Sequence, residues 1–349
     1  MITIRKMKAE EGQAVKKIGA KAFVGAERLF VSKPKEAMVA IIDEKIVGGM
    51  VFKYTIAKDK KIAYIDFAYV DPDYHSQGVG RKLYKETFEY LWSEGCTAIT
   101  AMVKDDNVAS WKSLLNNGFS QTTLGEATKE LGIELMLKHY FATPAFMSNG
   151  MEFYLMVKGK EVKPKKVETK TQIGFYLLAN FLLLILGFLL NNRSNWGMYI
   201  LAYIGLLASG VFISYLGSLL SKRKWKFRVN SCGAVVVAFI NIGAAYPLIG
   251  NWYPESYENT KEFKRDMGIP ALLEWIFLLV ILVGSKIIMP QHILVKYMSQ
   301  IASTFIMYRI LAIYPFESFG GGRLYKWNKA LYLVMSIISV ILIWGRFYS

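Results

Sequence analysis

Cysteine is nearly absent. The chain of 349 residues has two, Cys96 and Cys232, one in each half, so no disulfide framework organises it and a disulfide-rich secreted module is excluded. Histidine is also scarce, with three residues, His75, His139 and His292, and no H-E-x-x-H motif, so metal chemistry has few ligands to draw on. Acidic residues thin out along the chain: residues 1–170 hold 21 Asp/Glu against 27 Lys/Arg, but residues 171–349 hold only 6 against 16. The opening MITIRKMKAEEGQ lacks the apolar core of a signal peptide, and the cysteine usage fits a reducing compartment for the soluble part. Apolar residues, in contrast, make up 53%, with a mean hydropathy of +0.27, which excludes a disordered chain. The net charge of +16 would suit a nucleic acid. Much of it flanks uncharged stretches, where membrane orientation accounts for it better, and no nucleic-acid partner is expected.

The charge asymmetry divides the chain at a polar, lysine-rich strip, VKGKEVKPKKVETK, from Val157 to Lys170. Three parts are expected: a soluble domain over 1–160, a basic linker over 161–171 and a membrane domain over 172–349. Gln172 to Leu190 is uncharged and long enough, as a helix, to cross the roughly 30 Å hydrocarbon core. Similar runs follow at Met198–Leu220, Val229–Trp252 and Ile269–Ser285, the last interrupted by Glu274. Tyr297–Phe316, which contains Arg309, and Ala330–Trp344 are weaker. The expectation is an all-α polytopic domain of about six spans, or five plus a re-entrant Pro315–Gly322 piece. The basic strip Lys222–Arg228 and the linker are separated by two spans and share a side, which positive-inside asymmetry makes cytoplasmic. The segment Tyr253–Gly268 is then expected on the opposite side. Arg323, Lys326 and Lys329 fit that arrangement poorly.

The soluble half alternates strand-like and helix-like stretches. ITIRKM reads as a strand, Ala9–Phe23 as a helix, and MVAIIDEKIVGGMVFKYTIA as a hairpin turning at Asp43-Glu44-Lys45. KIAYIDFAYV is a strong strand. It runs into DPDYHSQGVGRKLYKETFEYLW, a glycine-containing turn that opens a helix, with Leu83, Thr87 and Leu91 on one face. Glycines 78 and 80 let backbone N–H groups approach an anion at the helix N-terminus.

These motifs, in this order, resemble the GNAT acetyltransferase superfamily, whose acetyl-CoA loop reads Q/R-x-x-G-x-G/A after a strand ending in V-D-P. Here Val70-Asp71-Pro72 leads to His75-Ser76-Gln77-Gly78-Val79-Gly80, with His75 where Gln or Arg is usual. Asn107-x-x-Ser110-Trp111 followed by Asn117-Gly118-Phe119 resembles the family's second signature, and FYLMVKG its closing strand. The resemblance implies a mixed central sheet with flanking helices over about 1–160 and acetyl-CoA as co-substrate. It implies that the amides of Gln77, Gly78, Val79, Gly80, Arg81 and Lys82 cradle the pyrophosphate. Phe67, Ala68, Tyr69 and Val70 would bond the pantetheine arm by backbone, and Asn107 would contact it by side chain. The tyrosine general acid of many members falls at Leu114 and is missing. Candidate bases are Asp66 on the central strand, and Glu134 and His139 in the long stretch Leu124–Met147, which reads as a lid over the acceptor.

The membrane half resembles the intramembrane site-2 protease family in layout. Ser214, Tyr215 and Ser218 stand where the first two zinc histidines and the glutamate would be, and Gly320 replaces the zinc aspartate. On this reading it is a protease scaffold without metal; the alternative is an unrelated bundle with a Pro/Gly bend. The function classes carried forward are a membrane-tethered N-acetyltransferase acting at the cytoplasmic face and an acetyl-CoA-binding regulatory protein with an inactive protease-like membrane part. A transporter using Glu274 and Arg309 is third. The acceptor is open among lipid-linked, peptide and small amine groups.

Overall fold

The computed structural model describes the chain apart from residues 24, 105–106, 164–167, 192–195, 259, 289–290, 313–315 and 348–349. Pro164 of the expected linker and Pro315 of the expected bend lie outside the described residues. The chain divides into two units, Met1–Phe146 with Met151–Lys165, and Met147–Gly150 with Lys166–Ser349.

The first unit is built on a seven-stranded sheet. Its strands are β1 (Thr3–Lys6), β2 (Ala37–Ile42), β3 (Lys45–Ala57), β4 (Lys60–Val70), β5 (Cys96–Lys104), β6 (Ser120–Thr122) and β7 (Met151–Val157), in the order β1-β2-β3-β4-β5-β7-β6. Only the β4–β5 pair is parallel. The helices are α1 (Gly12–Ala22), α2 (Val79–Ser93), α3 (Val108–Asn116), α4 (Leu124–Leu131) and α5 (Ile133–Ala142). The expected hairpin is there: Ile42 pairs with Lys45, and Asp43 and Glu44 turn the chain with φ of 47° and 63°. That double left-handed turn matches the twist of the strands it joins.

Two irregularities in β4 shape everything that follows. Against β3, Phe67 faces Val51 and Ile65 faces Phe52, so Asp66 bulges out of register. Against β5 the pairing runs from Lys61 to Ile65 and ends at Ala101. Beyond that point the two parallel strands part, and the last residues of β4 present an edge that β5 does not occupy. Val15 and Gly19 of α1 pack on one face around Tyr69. On the other face Phe88 of α2 packs on Phe119 and Tyr90 on Phe52.

The second unit is mainly helical: α6 (Thr169–Asn191), α7 (Trp196–Ser218), α8 (Ala234–Ile240), α9 (Lys261–Ile287), α10 (Ile293–Ile310), α11 (Gly321–Trp327) and α12 (Lys329–Phe347). Among the described residues three helices, Thr169–Leu189, Trp196–Ser218 and Lys261–Ser285, are long and apolar enough to cross a membrane; α10 and α12 are not among them. Six such helices were expected, and the largest discrepancy is Val229–Trp252. It folds instead as strand β8 (Trp225–Val229), the short α8, and strand β9 (Gly250–Pro254), with β8 and β9 paired antiparallel from Trp225↔Pro254 to Val229↔Gly250. The run is uncharged but carries Gly233, Gly243, Pro247 and Gly250, which interrupt a helix. Its irregular backbone is satisfied by buried asparagines: Tyr246 N donates to Asn241 Oδ1 at 2.8 Å, Leu248 N to Asn180 Oδ1 at 2.8 Å, and Ile249 N to Asn149 Oδ1 at 3.1 Å. Non-helical backbone persists in an apolar environment only when protein groups take up its bonds in this way.

The same hairpin overturns the expected separation of the two loops. Arg223 reaches Glu258 at 3.0 Å and Asp266 at 2.8 Å, and Lys226 reaches Glu255 at 2.8 Å, so Lys222–Arg228 and Tyr253–Gly268 lie at one end of the unit. The Arg323 guanidinium lies 4.8 Å from the Tyr253 ring, and Trp327 packs over Gly268, so the basic residues of α11 join that end. Their poor fit disappears once Val229–Trp252 does not span. Arg309, in one of the weaker runs, lies inside the helical unit. It is buried, ion-paired to Glu274 at 2.5 Å and bonded to Phe305 O at 3.0 Å.

Candidate functional site

The chain leaves β4 at Val70 and immediately turns. Asp71 N donates to Val47 O at 2.7 Å, and Lys21 of α1 holds both Asp71 (2.7 Å) and Asp73 (2.6 Å). That lysine keeps the Asp71 carboxyl below the usual carboxylate range. The His75 ring closes the turn, its Nε2–H donating to Val70 O at 3.1 Å. Ser76 and Gly78 both take left-handed conformations, φ 64° and 81°. Gly78 is the N-cap of α2, and a side chain there would meet nothing within 4 Å, so glycine serves the backbone angle and leaves the approach open. The first bond of α2 runs from Lys82 N to Gly78 O at 3.1 Å. The amides of Val79, Gly80 and Arg81 therefore have no partner within the helix and stand at its positive end.

Beside this helix end lies a cleft of about 400 Å³. One wall is Ala68, Tyr69 and Val70 of the parted β4. The other is Ala109, Ser110 and Ser113 of α3, and Gly78, Val79, Gly80, Leu83 and Tyr84 of α2 close the end. Ala22 and Phe23, at the end of α1, and Tyr74, His75 and Ser76 of the turn complete it. Asn107 caps α3, its Oδ1 accepting from Ser110 N at 3.2 Å. Burial pushes the Tyr84 hydroxyl up to about 12, so it stays protonated at neutral pH.

Of the expected residues, the structure gathers Ala68, Tyr69, Val70, His75, Gly78, Val79, Gly80 and Ser110 at this cleft. Gln77 and Arg81 lie exposed in the same turn and first helical turn. Phe67 belongs to the α1-side core cluster instead, edge-on to Phe23. Lys82 has its amide taken by the helix and its Nζ on Ile2 O at 2.6 Å, away from the cleft. None of the three candidate bases lines the cleft. Asp66, the bulged residue, is ion-paired to Lys53 at 2.5 Å. Glu134 is exposed between Lys58 (3.2 Å) and Lys138 (3.1 Å), which lower its pKa. His139 is wholly buried, with Thr55 Oγ1 at 3.0 Å from Nδ1 and Thr100 Oγ1 at 2.8 Å from Nε2, and burial lowers its pKa to about 4. It ties α5 to β3 and β5 and has no free ring nitrogen for a substrate. Leu114 is likewise core. Ser113 and Tyr84 were missed; each lies one helical turn beyond an expected residue, Ser110 and Gly80, and that spacing is the signal that finds them.

In the second unit Ser214 Oγ donates to Gly210 O at 2.7 Å and Ser218 Oγ to Tyr215 O at 2.7 Å, bonds within their own helix. Gly320 has φ 99° and packs on Ala271. Among the described residues no group of three His, Cys, Asp or Glu side chains converges on a metal position.

No curated protein matches the chain. Solved structures do resemble it. The ribosomal-protein-S18-alanine N-acetyltransferase of Escherichia coli is 23% identical with a TM-score of 0.30, over 35% of this chain and 80% of that one. The PaiA N-acetyltransferase of Thermoplasma acidophilum, in complex with coenzyme A, is 15% identical with a TM-score of 0.33, over 45% and 99%. Arabidopsis thaliana Naa50, in complex with a bisubstrate analogue, is 14% identical with a TM-score of 0.30, over 34% and 83%. The acetyltransferase (GNAT) family matches residues 13–119, the segment from α1 through α3 that holds the helix end and both walls of the cleft. That match lies wholly within the first unit and covers under a third of the chain.

Proposed function

We propose that the protein is an acetyl-CoA-dependent N-acetyltransferase held at the cytoplasmic face of a membrane. The observation that carries the reading is the parting of β4 from β5 beside the N-terminus of α2. The free β4 edge at Ala68–Val70 offers backbone donors and acceptors in extended register, which suits the amide-bearing pantetheine arm. The amides of Val79, Gly80 and Arg81 suit its pyrophosphate. Acetyl-CoA would supply a thioester carbonyl for attack by an amine, with loss of the amine proton and departure of the thiolate. This chain's residues would hold the carrier along β4 and α3. Ser110 and Ser113 of α3 line the same cleft, with Ser113 Oγ donating to Ala109 O at 2.9 Å.

Membrane attachment rests on the three apolar helices, and orientation on the basic end of the second unit. Arg223, Arg228, Arg323, Lys326 and Lys329 gather where α7 ends and α9 begins, and α6, antiparallel to α7, begins there too. The lysine-rich segment before α6 adds to that side, which favours the cytoplasm. The acceptor would then be an amine within reach of the membrane: lipid-linked, peptide or small molecule. Release of free thiol from acetyl-CoA by the purified full-length protein, across a panel of amines, tests the activity. Absence of thiol release with every amine in the panel, together with no calorimetric binding of CoA, would overturn it.

A second reading is favoured by two facts: Leu114 stands in the core where a tyrosine acid is common, and none of Asp66, Glu134 and His139 lines the cleft. In that reading the domain binds acetyl-CoA and regulates the membrane unit without turnover. Tight CoA binding with no thiol release would favour it.

A further inference from the structure

Helix α5 presents two faces. Leu135, Met136, His139 and Tyr140 are buried against the sheet. The opposite face carries Ile133 (69% exposed), Leu137 (52%) and Phe141 (60%) at i, i+4 and i+8, one continuous apolar stripe on the solvent side. Beside it runs Glu134, bound by both Lys58 and Lys138, whose side chains are 78% and 52% exposed. The stripe is therefore edged by a net positive charge. Large apolar residues aligned on an exposed helix face mark an interaction surface.

The chain itself narrows the choice of what covers it. Residues 158–168 separate β7 from α6, and even fully extended they reach only about 40 Å. The chain also passes directly between the units at Phe146–Met147 and Gly150–Met151, so covalent connection keeps the first unit within reach of the second. If α6 is in a bilayer, the headgroup layer is within reach of the first unit. An apolar stripe edged by lysines suits that layer when it contains anionic lipid.

We propose that the Ile133–Leu137–Phe141 face of α5 inserts into the headgroup region of an anionic bilayer and docks the acetyltransferase domain on it. The proposal rests on the membrane reading of the second unit. It commits the domain to one face toward the lipid.

The test uses the full chain in nanodiscs with anionic lipid, in a Cys96→Ala/Cys232→Ala background. A polarity-sensitive fluorophore is attached in turn at Leu137→Cys, at Leu201→Cys on the exposed side of α7, and at Lys85→Cys on the solvent side of α2. The expected result is a blue shift and quenching by headgroup-level nitroxide lipid at 137, quenching by mid-chain nitroxide lipid at 201, and neither at 85. The 137 signal should decline when the lipid is made zwitterionic or the salt is raised. Quenching at 201 without any at 137 would overturn the docking and leave the membrane reading intact. No quenching at either would overturn both. A blue shift at 137 that follows protein concentration and ignores the nitroxide lipid would show a second copy on the stripe and overturn the lipid assignment.

Discussion

Substituting Gly78 separates the two things that position does. It is the N-cap of α2 at φ 81°, and a Cβ built there meets nothing within 4 Å. A side chain thus costs the unliganded protein only the left-handed backbone penalty of roughly 1–2 kcal/mol. Gly78→Ala should show that loss in stability and little more. Gly78→Glu adds a carboxylate at the anion-binding end of the helix. At a separation of about 6 Å and an effective dielectric constant of about 20, one unit charge on the ligand is repelled by roughly 3 kcal/mol. That corresponds to about a hundredfold in Kd. Titration calorimetry with CoA on the full-length variants, alongside melting scans, reads both effects. The expected order of affinity is parent, then Gly78→Ala close behind, then Gly78→Glu weaker by about two decades. If the folded glutamate variant binds CoA as tightly as the parent, the helix N-terminus is not the phosphate site. If alanine weakens binding as much as glutamate, bulk rather than charge is responsible and the electrostatic argument is wrong.

Two further perturbations follow from buried groups. Because burial lowers the His139 pKa from 6.5 to about 4, protonation favours the unfolded chain. The stability of the first unit should be complete above about pH 6.5 and fall by roughly 3 kcal/mol as the pH drops toward 4. Melting scans at about pH 7.5 and about pH 4.5, which span most of that window, should show a drop in the parent that is smaller in His139→Gln; equal drops would remove His139 as the cause. In the second unit, Glu274→Leu leaves Arg309 buried without its carboxylate and should cost roughly 3–5 kcal/mol, whereas Glu274→Leu with Arg309→Leu should recover much of it. Detergent-solubilised variants that melt together, single and double alike, would show that the pair is not coupled.

Local signals carried much of the first unit. The turn at Asp43-Glu44, the strand running into a glycine turn, and the helix beginning at Val79 are encoded by residues near one another in the chain, and all are found. The backbone part of the cleft was legible for the same reason: in the proposed function Ala68–Val70 and Gly78–Gly80 would act through their own amides, and a motif specifies amide positions. The candidate bases were not legible, because a base is defined by what surrounds it. Asp66 reads as a strand carboxylate until the β-bulge and Lys53 are seen. His139 reads as a histidine in a lid until Thr55 and Thr100 close on both ring nitrogens.

The second unit shows the same division. Long apolar runs with at most one charge marked α6, α7 and α9, since such runs have few alternatives to a helix. The run Val229–Trp252 has the length and apolarity of a span, yet becomes a hairpin around a short helix. What decides it is long-range: Asn149, Asn180 and Asn241 supply acceptors that a broken helix would otherwise lack. The sequence by itself determined the division into a charged α/β half and an apolar helical half, because composition and periodicity are local. Which charges pair, which loops share an end and which residues face the cleft were decided by the tertiary structure, because each depends on partners far apart in the chain and on whether water reaches them.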